Sequence, residues 1–350
     1  KQTGHGVQFS VLIIFSILGK LMELIDEKTH QDCIFNKNNN KSVSLILGLD
    51  EPEIHLHPYR QRNLMNYINK ILSNTETNFS SLLKDLFNID FIHGQSIVVT
   101  HSPNIIRENY KQINRFYKEN DLIRIKSGNE ISLDYQLEKH LKMNFPYIKE
   151  AFFSRCNIIV EGHSEYGAFP IFAERTGTDL DRLGISIIKA ASKDSVVPLM
   201  NLLNSFNISN VGIMDGDGFA RYQGNQNLYS TNGDDFEEDI YDAFNVEDFA
   251  QYVEKNEVRS IKREIFDLIE SESNKLGVTI YKNEFIGQQL KYGTLEFREK
   301  LKEKIKAESI KKLGRKKNKT IITGNILANS VTKVPNAYQK LIEEAVRLSL

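Results

Sequence analysis

The stretch Asn157-Ile158-Ile159-Val160-Glu161-Gly162-His163-Ser164-Glu165 decides the fold of the second half of this chain. Its first four residues form a short apolar, β-branched run that ends at a glutamate, which is typical of a buried strand. A second such run ends in carboxylates within Val211-Gly212-Ile213-Met214-Asp215-Gly216-Asp217-Gly218. Between them the sequence predicts a helix over 165–175, a strand over 185–189 and a helix over 194–206. This alternation predicts an α/β fold with a parallel sheet.

The two apolar runs end at Glu161 and at Asp215 and Asp217. Because the carboxyl ends of parallel strands meet at one edge of a sheet, where ligands bind in open α/β folds, we expect these side chains to lie close together. Hard oxygen ligands without cysteine favour Mg²⁺ or Mn²⁺ over zinc. A polar turn or a strand-end acid would explain either motif alone. Together they predict an acidic metal site directed at phosphate.

The first half of the chain has a similar arrangement. A buried strand is predicted over 43–49 and ends in Asp50-Glu51-Pro52, a helix begins near Pro58, and a second strand over 96–100 is broken by His101-Ser102-Pro103. In a nucleotide hydrolase the first carboxylate can hold Mg²⁺ and the next can orient the attacking water. Strand-ending acids are common in α/β proteins, so the interpretation of Asp50 and Glu51 depends on the residues around them.

Those residues resemble a known ATPase superfamily. The stretches Leu49-Asp50-Glu51-Pro52-Glu53-Ile54-His55-Leu56-His57-Pro58 and Val99-Thr100-His101-Ser102-Pro103 resemble the Walker B, D-loop and switch histidine of ABC ATPases, in the version of RecF-like and OLD-family proteins. Upstream, Thr3-Gly4-His5-Gly6-Val7-Gln8 is similar to that group's signature. The resemblance implies a site for ATP with Mg²⁺, and its residues are Gly4, Gly6, Gln8, Asp50, Glu51 and His101.

One element of that superfamily is missing from this chain. No Gly-x-x-x-x-Gly-Lys-Ser/Thr motif is present, so the loop that cradles phosphate is absent. The chain begins with Lys1 rather than Met, and we expect the missing loop upstream in the native gene product. This chain should then not hydrolyse ATP by itself. Since an ABC signature acts on the nucleotide of a partner, the resemblance also implies a homodimer or higher homo-oligomer formed through the ATPase domain.

The second half resembles the TOPRIM domain of OLD-family nucleases, on the strand-end Glu-Gly and the later Asp-x-Asp. The resemblance makes Glu161 a general acid/base or metal-linked glutamate, Glu165 the second glutamate, and Asp215 and Asp217 metal ligands, in a site for two ions. The later Asp235-Phe236-Glu237-Glu238 resembles the acidic motif that supplies another ligand, and we favour Glu237.

OLD-type enzymes also use a lysine near the C-terminal end of the domain. Lys316, Lys317 and Lys319 lie in the corresponding region, and we select Lys319 as catalytic. The basic segment 300–319 is explained equally well as a patch that contacts DNA, or as a solvated helix face.

These resemblances imply the domain organisation. Residues 1–135 form the C-terminal part of an ABC-type ATPase domain, which includes an antiparallel region over 113–133. Residues 136–154 form a helical connector, and residues 155–350 form a Rossmann-like TOPRIM domain with a helical insertion or extension over about 245–312. The whole chain is therefore predicted to be α/β.

Composition limits the class of protein. The 350 residues carry a formal net charge of -1, which argues against a uniformly basic nucleic-acid-binding surface. Two cysteines, Cys33 and Cys156, make neither a disulfide framework nor a zinc site. The apolar run over 11–18 is too short to cross a bilayer. We therefore expect a cytoplasmic protein without a membrane partner.

The order of the two domains resembles OLD-family endonucleases, including the nuclease subunit of Gabija-type anti-phage defence. It implies a metal-dependent endonuclease that an ATPase domain regulates, with DNA favoured over RNA and a helicase-like or other defence-system protein as partner. Two alternatives stay open. One is a RecF- or SMC-like DNA-binding ATPase with a non-catalytic TOPRIM module, and the other is a TOPRIM ribonuclease.

Overall fold

The computed structural model describes residues 5–26, 33–245 and 319–350 apart from residues 55, 108, 134, 191 and 223, together with isolated positions between 248 and 303. The chain forms two compact units, Lys1–Arg107 and Glu108–Leu350. The second unit includes residues 108–135, predicted as the end of the ATPase domain, and residues 136–154, predicted as the connector. The predicted domain boundaries at 135 and 155 stay predictions. Most of the predicted helical region over 245–312 lies outside the described residues.

The first unit contains one small mixed sheet and three described helices. Its elements are α1 (His5–Asp26), β1 (Ile34–Lys37), β2 (Asn40–Asp50), α2 (Pro58–Leu72), α3 (Thr77–Phe87) and β3 (Phe91–Val99). The strands lie in the order β1-β2-β3, and β2 is parallel to β3 with Asp50 opposite Val99. The predicted strand–helix–strand unit is therefore confirmed, and buried apolar residues from all three helices pack against this sheet.

The hairpin that joins β1 to β2 was not predicted, and its turn lies in the asparagine-rich segment over 36–40. Asn38 and Asn39 both have positive φ, at 50° and 61°. Such a pair is the geometry of a two-residue hairpin turn, in which asparagine is tolerated. The two strands pair antiparallel as far as Lys37 and Asn40.

The second unit begins with a two-stranded ribbon and continues as an α/β sheet with covering helices. Its elements are β4 (Asn114–Glu119), β5 (Leu122–Ser127), α4 (Tyr135–Ile148), β6 (Cys156–Val160), α5 (His163–Arg175), α6 (Leu180–Leu183), β7 (Ile185–Lys189), α7 (Lys193–Ser205), β8 (Ser209–Met214), α8 (Gly216–Phe219), β9 (Leu228–Ser230), α9 (Phe236–Ala243), α10 (Ile321–Ser330) and α11 (Asn336–Ser349). The predicted strands and helices between 157 and 214 are confirmed within one to two residues at their ends. The antiparallel ribbon is confirmed too, but it ends at Ser127, six residues before the predicted limit. The three-residue strand β9 was not predicted.

The four-stranded sheet has the order β7-β6-β8-β9, and all its neighbouring strands are parallel. From β6 the chain passes to β7 on one side and then returns to β8 on the other side. The order therefore reverses between β6 and β8, and ligands bind at such a switch point in open α/β sheets. The first acidic motif follows β6 and the second follows β8.

Two glycines allow α10 to lie directly against α5. A Cβ atom on Gly324 would lie 1.9 Å from the carbonyl oxygen of Ser164, and one on Gly167 would lie 2.3 Å from the carbonyl oxygen of Ile321. Only glycine permits so close an approach of two helix backbones. Because Lys319 lies just before Thr320, the N-cap of α10, this contact brings Lys319 to the beginning of α5.

Among the described helices, none combines the length and apolar composition that crossing a membrane requires.

Candidate metal centre and nucleotide-site residues

Glu161 and Asp215 meet at the switch point of the second sheet. The backbone N–H of Asp215 donates a hydrogen bond of 3.0 Å to Oε2 of Glu161. Asp215 also directly precedes the short helix α8 and is buried, with 8% of its surface exposed. The structure thus brings together the acids that end β6 and β8, as the sequence predicted.

A third acidic segment joins them from the start of α9. The N–H of Phe236 donates to Oδ1 of Asp215 over 3.1 Å, and the hydroxyl of Ser164 donates to Oε1 of Glu237 over 2.5 Å. Asp235 caps α9 by accepting from the N–H of Glu238 at 2.9 Å. Of the two candidate glutamates, Glu237 is the one held against α5.

Lys319 lies between acids from two of these segments. Its Nζ is 3.2 Å from Oε2 of Glu237, 3.4 Å from Oδ2 of Asp235 and 3.5 Å from Oδ2 of Asp215. Burial opposes the charge of this lysine, but Glu237, Asp215 and Asp235 outweigh that effect, so that the pKa of Lys319 is raised. Lys319 is therefore a charged group among acids that lie far apart in sequence.

Glu165 adds a further buried acid beside this group. It is 5% exposed, and a Cβ on Gly162 would lie 2.8 Å from its Oε2, so that Gly162 leaves room for its carboxylate. Burial, with a smaller contribution from Asp215, raises the pKa of Glu165 to about 8. Burial and the charge of Glu161 raise the pKa of Asp215 to about 7 against the opposing effect of Lys319. Burial and the neighbouring acids thus disfavour the charged form of Glu165 and of Asp215, and a bound cation would oppose that effect.

The chemistry of this group fits a hard divalent cation, since its donors are carboxylate oxygens. The carboxylate oxygens around Lys319 lie 3.2–3.5 Å from its Nζ, which suits an ammonium group. Ligand oxygens of Mg²⁺ lie closer, at about 2.1 Å from the ion. Accordingly, no three acidic, histidine or cysteine side chains among the described residues stand ready to hold an ion. Asp217 lies in α8, and its side chain is outside the described part of the chain, as are Lys316 and Lys317.

Three contacts at this site were not predicted. Asp235 was quoted within its motif but not selected, although it contacts Lys319. Ser164 was not selected either. Asp239 is buried and accepts from the N–H of Asn232 at 3.2 Å and from the hydroxyl of Tyr338 at 2.7 Å, which fixes the loop before α9 against α11. Asp235 and Asp239 are four residues apart, a spacing that places both on one face of a helix, so the sequence could have indicated that they act together. Nothing in the sequence connects Tyr338 to this site.

In the first unit, Asp50 ends β2 and Glu51 follows it. Nε2 of His101 lies 3.3 Å from Oε1 of Glu51, and their side chains are 79% and 40% exposed. Glu51 has a φ of 43°, a left-handed conformation that a residue other than glycine rarely adopts. Helix α1 begins at His5 and includes Gly6 and Gln8, whereas Gly4 and the side chain of Gln8 lie outside the described residues.

Comparisons with known proteins match the two parts of this chain to two different domains. Residues 152–217 match the TOPRIM domain of proteins like the overcoming lysogenization defect (OLD) protein, and residues 1–106 match an AAA ATPase domain. Comparison with curated proteins yields no match. The two domain matches in this order support an ATPase–TOPRIM protein of the OLD family.

Solved structures of OLD C-terminal regions are also similar to this chain. The region from Burkholderia pseudomallei is 18% identical with a TM-score of 0.34, and the match covers 57% of this chain and 100% of that one. One from Xanthomonas campestris pv. campestris, phased with iodine, is 20% identical with a TM-score of 0.33, covering 57% of this chain and 97% of that one.

Proposed function

We propose that this OLD-like ATPase–TOPRIM protein is a metal-dependent endonuclease that cleaves phosphodiester bonds, with DNA as the favoured substrate. Its site uses Mg²⁺ or Mn²⁺, and ATP with Mg²⁺ at the first unit controls it. The protein acts as a homodimer or higher homo-oligomer through its ATPase domain, in the cytoplasm, in anti-phage defence together with a helicase-like or other defence-system partner.

The observation that carries this proposal is the position of Lys319 among Asp215, Asp235 and Glu237. A surface-exposed lysine paired with one acid contributes little and is common. Here the lysine and all three acids are largely buried, and three separate segments bring them to the carboxyl edge of a parallel sheet. Such a concentration of charge at a ligand-binding edge is typical of a functional site.

The acids would hold the metal, and Lys319 would act on the substrate. Glu161, Asp215, Asp217 and Glu237, with Glu165 beside them, present the oxygen ligands that divalent cations prefer. When bound, two such ions supply an activated water and stabilise both the attacking and the leaving oxygen. Lys319 provides a cation that can leave its acidic partners and neutralise charge that develops on the scissile phosphate. Glu161 would hold or move a proton at the same edge.

Cleavage of supercoiled plasmid by the purified full-length protein tests the proposal. With Mg²⁺ or Mn²⁺ the wild-type protein should cut, and EDTA should prevent cutting. Lys319→Met should slow cleavage by about 100-fold, on the scale of losing one group that stabilises developing charge. Lys340→Met is the matched control, because Lys340 is an exposed lysine on α11 and should be dispensable.

Two results would favour the other candidates. Absence of metal-dependent cutting, with plasmid binding intact, would favour a RecF- or SMC-like ATPase with a non-catalytic TOPRIM module. Cutting of tRNA under conditions that leave plasmid and single-stranded DNA intact would favour a ribonuclease.

Control by nucleotide is tested separately. Glu51→Gln should slow hydrolysis and hold ATP in place, since Glu51 would orient the attacking water. Cleavage rates should then differ between the nucleotide-free and the trapped states. Equal rates in both states would remove the regulatory link and leave the nuclease proposal intact.

A further inference from the structure

Glu53 connects the two loops that carry the residues of the nucleotide site. It lies in the turn that follows β2, two residues after Glu51. Its Oε1 accepts hydrogen bonds from the hydroxyl of Thr100 and from the backbone N–H of His101, the latter at 2.9 Å. A carboxylate that accepts from two donors of another segment holds that segment more strongly than a neutral acceptor would.

The connection is part of a closed ring of hydrogen bonds. The hydroxyl of Thr100 accepts from the N–H of Ser102 at 3.0 Å, and the hydroxyl of Ser102 donates to Oε1 of Gln61 at 2.6 Å. Gln61 donates to the carbonyl oxygen of Leu56 at 2.9 Å, and the N–H of Leu56 donates to the carbonyl oxygen of Glu53 at 2.9 Å. The loop after β3 is thereby tied to the turn after β2 and to α2.

Little of the His101 side chain is buried. Its imidazole is 79% exposed and has an ion-pair contact of 3.3 Å with Glu51, so packing does little to fix it. The backbone of His101 and the backbone of Glu51 are both held by hydrogen bonds instead. The N–H of Glu51 donates to the carbonyl oxygen of Val99 at 2.9 Å while Glu51 keeps its positive φ, a strained conformation that persists only where neighbouring contacts enforce it.

We propose that Glu53 is a positioning residue for ATP hydrolysis, which sets His101 against Glu51 by holding the backbone of the loop after β3. This inference rests on the proposed nucleotide site of the first unit. It predicts that Glu53 affects turnover more than nucleotide affinity, because it orients groups that act on the γ-phosphate and does not bind the nucleotide itself.

Four variants of the full-length protein separate positioning from stability. Glu53→Ala removes the acceptor, whereas Glu53→Gln keeps an oxygen that can accept from Thr100 and His101. Thr100→Ser keeps the hydroxyl of the ring. Glu76→Ala is the matched control, since Glu76 is a carboxylate of the same unit whose side chain accepts from the N–H of Phe79 at 2.6 Å, at the start of α3.

In steady-state ATP hydrolysis, Glu53→Ala should lower kcat by about 10- to 100-fold, on the scale of a misplaced catalytic group, and change KM for ATP by less than about 3-fold. Glu53→Gln and Thr100→Ser should stay within about 5-fold of the wild type, because neutral hydrogen bonds replace or maintain the ring. Glu76→Ala should hydrolyse ATP as the wild type does. A Glu53→Ala protein with wild-type kcat, or equal losses in the alanine and glutamine variants, would overturn the inference.

A second measurement does not depend on turnover. The imidazole signals of His101 in a histidine-labelled NMR spectrum, assigned by their loss in His101→Gln, should shift in Glu53→Ala and stay in place in Glu53→Gln and Glu76→Ala. Unchanged signals in Glu53→Ala would overturn the inference even if the wild-type protein hydrolysed no ATP. Absence of hydrolysis by the wild type would instead count against the proposed ATPase function alone.

Discussion

Both units of this protein place acids at the carboxyl ends of parallel strands, yet the two groups of acids are held differently. In the second unit Asp215 and Glu165 are 8% and 5% exposed, and backbone donors and Lys319 hold this group. In the first unit the side chains of Glu51 and His101 are 40% and 79% exposed. Among the residues that the structure describes, the same topology thus carries a buried centre of acids in one unit and more exposed acids in the other.

The largest expected effect is a loss of nuclease activity on substitution of Asp215, with ATP hydrolysis in the other unit unchanged. Asp215→Asn should lower plasmid cleavage by several orders of magnitude, on the scale of losing an essential catalytic group, since it removes a charged oxygen from the centre. ATP hydrolysis by the same full-length protein should not change, because its residues belong to the other unit. Asp181→Asn, an exposed acid on α6, is the control. Cleavage by purified Asp215→Asn at the wild-type rate would refute the assignment of the metal centre.

The elements near the site were predictable because their patterns are local. The runs that end at Glu161 and Asp215 are apolar and short, and the structure places both strands within one to two residues of the predicted limits. That the acids converge followed from the rule for parallel strands alone. Of Glu237 and Glu238, Glu237 is the one that accepts a hydrogen bond from Ser164, and its role as a metal ligand stays a prediction.

What could not be predicted depends on contacts between distant segments. The short strand β9 has too few residues for a pattern, and the hydroxyl of Tyr338 reaches Asp239 across 99 sequence positions. Lys319 was chosen over its neighbours by resemblance, whereas its approach to the acids depends on Gly167 and Gly324 allowing α10 against α5. Close helix contacts of this kind leave no periodic signal in a single sequence.

A second prediction compares glycines in helices of the two units. Gly324→Ala should destabilise the protein by about 1–3 kcal/mol, because a methyl group would lie 1.9 Å from the carbonyl oxygen of Ser164 and force the helices apart. Gly19→Ala in α1 meets nothing within 4 Å and should stabilise its unit by up to about 1 kcal/mol through helix propensity. Thermal unfolding followed by circular dichroism measures both. A stabilised Gly324→Ala protein would show that α10 does not lie against α5 as described.

A third, smaller effect concerns pH in the presence of a chelator. The folded protein keeps the Glu165 proton up to about pH 8, since burial raises the pKa of this group, whereas the unfolded chain loses it near the ordinary carboxyl pKa of about 4.3. Between these values the folded state binds more protons, so stability should fall as the pH rises. Glu165→Gln should make that fall shallower, and Glu174→Gln, an exposed acid on the same helix, should not. Identical pH profiles of the melting temperature for all three proteins would contradict the buried position of Glu165.

The smallest effect compares one cysteine in each unit. Cys156 lies in β6 with none of its surface exposed, and burial raises its pKa to about 12, whereas Cys33 is partly exposed. Because the thiolate is the reactive form, a disulfide reagent such as 5,5′-dithiobis(2-nitrobenzoic acid) should modify Cys33 in the native protein and reach Cys156 only after unfolding. Cys33→Ser should therefore remove the rapid phase of this reaction and leave the slow phase unchanged, and Cys156→Ser should do the reverse. Rapid modification of Cys156 in the folded Cys33→Ser protein would show that solvent reaches strand β6, which ends at Glu161. The description of the second unit as buried around its acids would then be wrong.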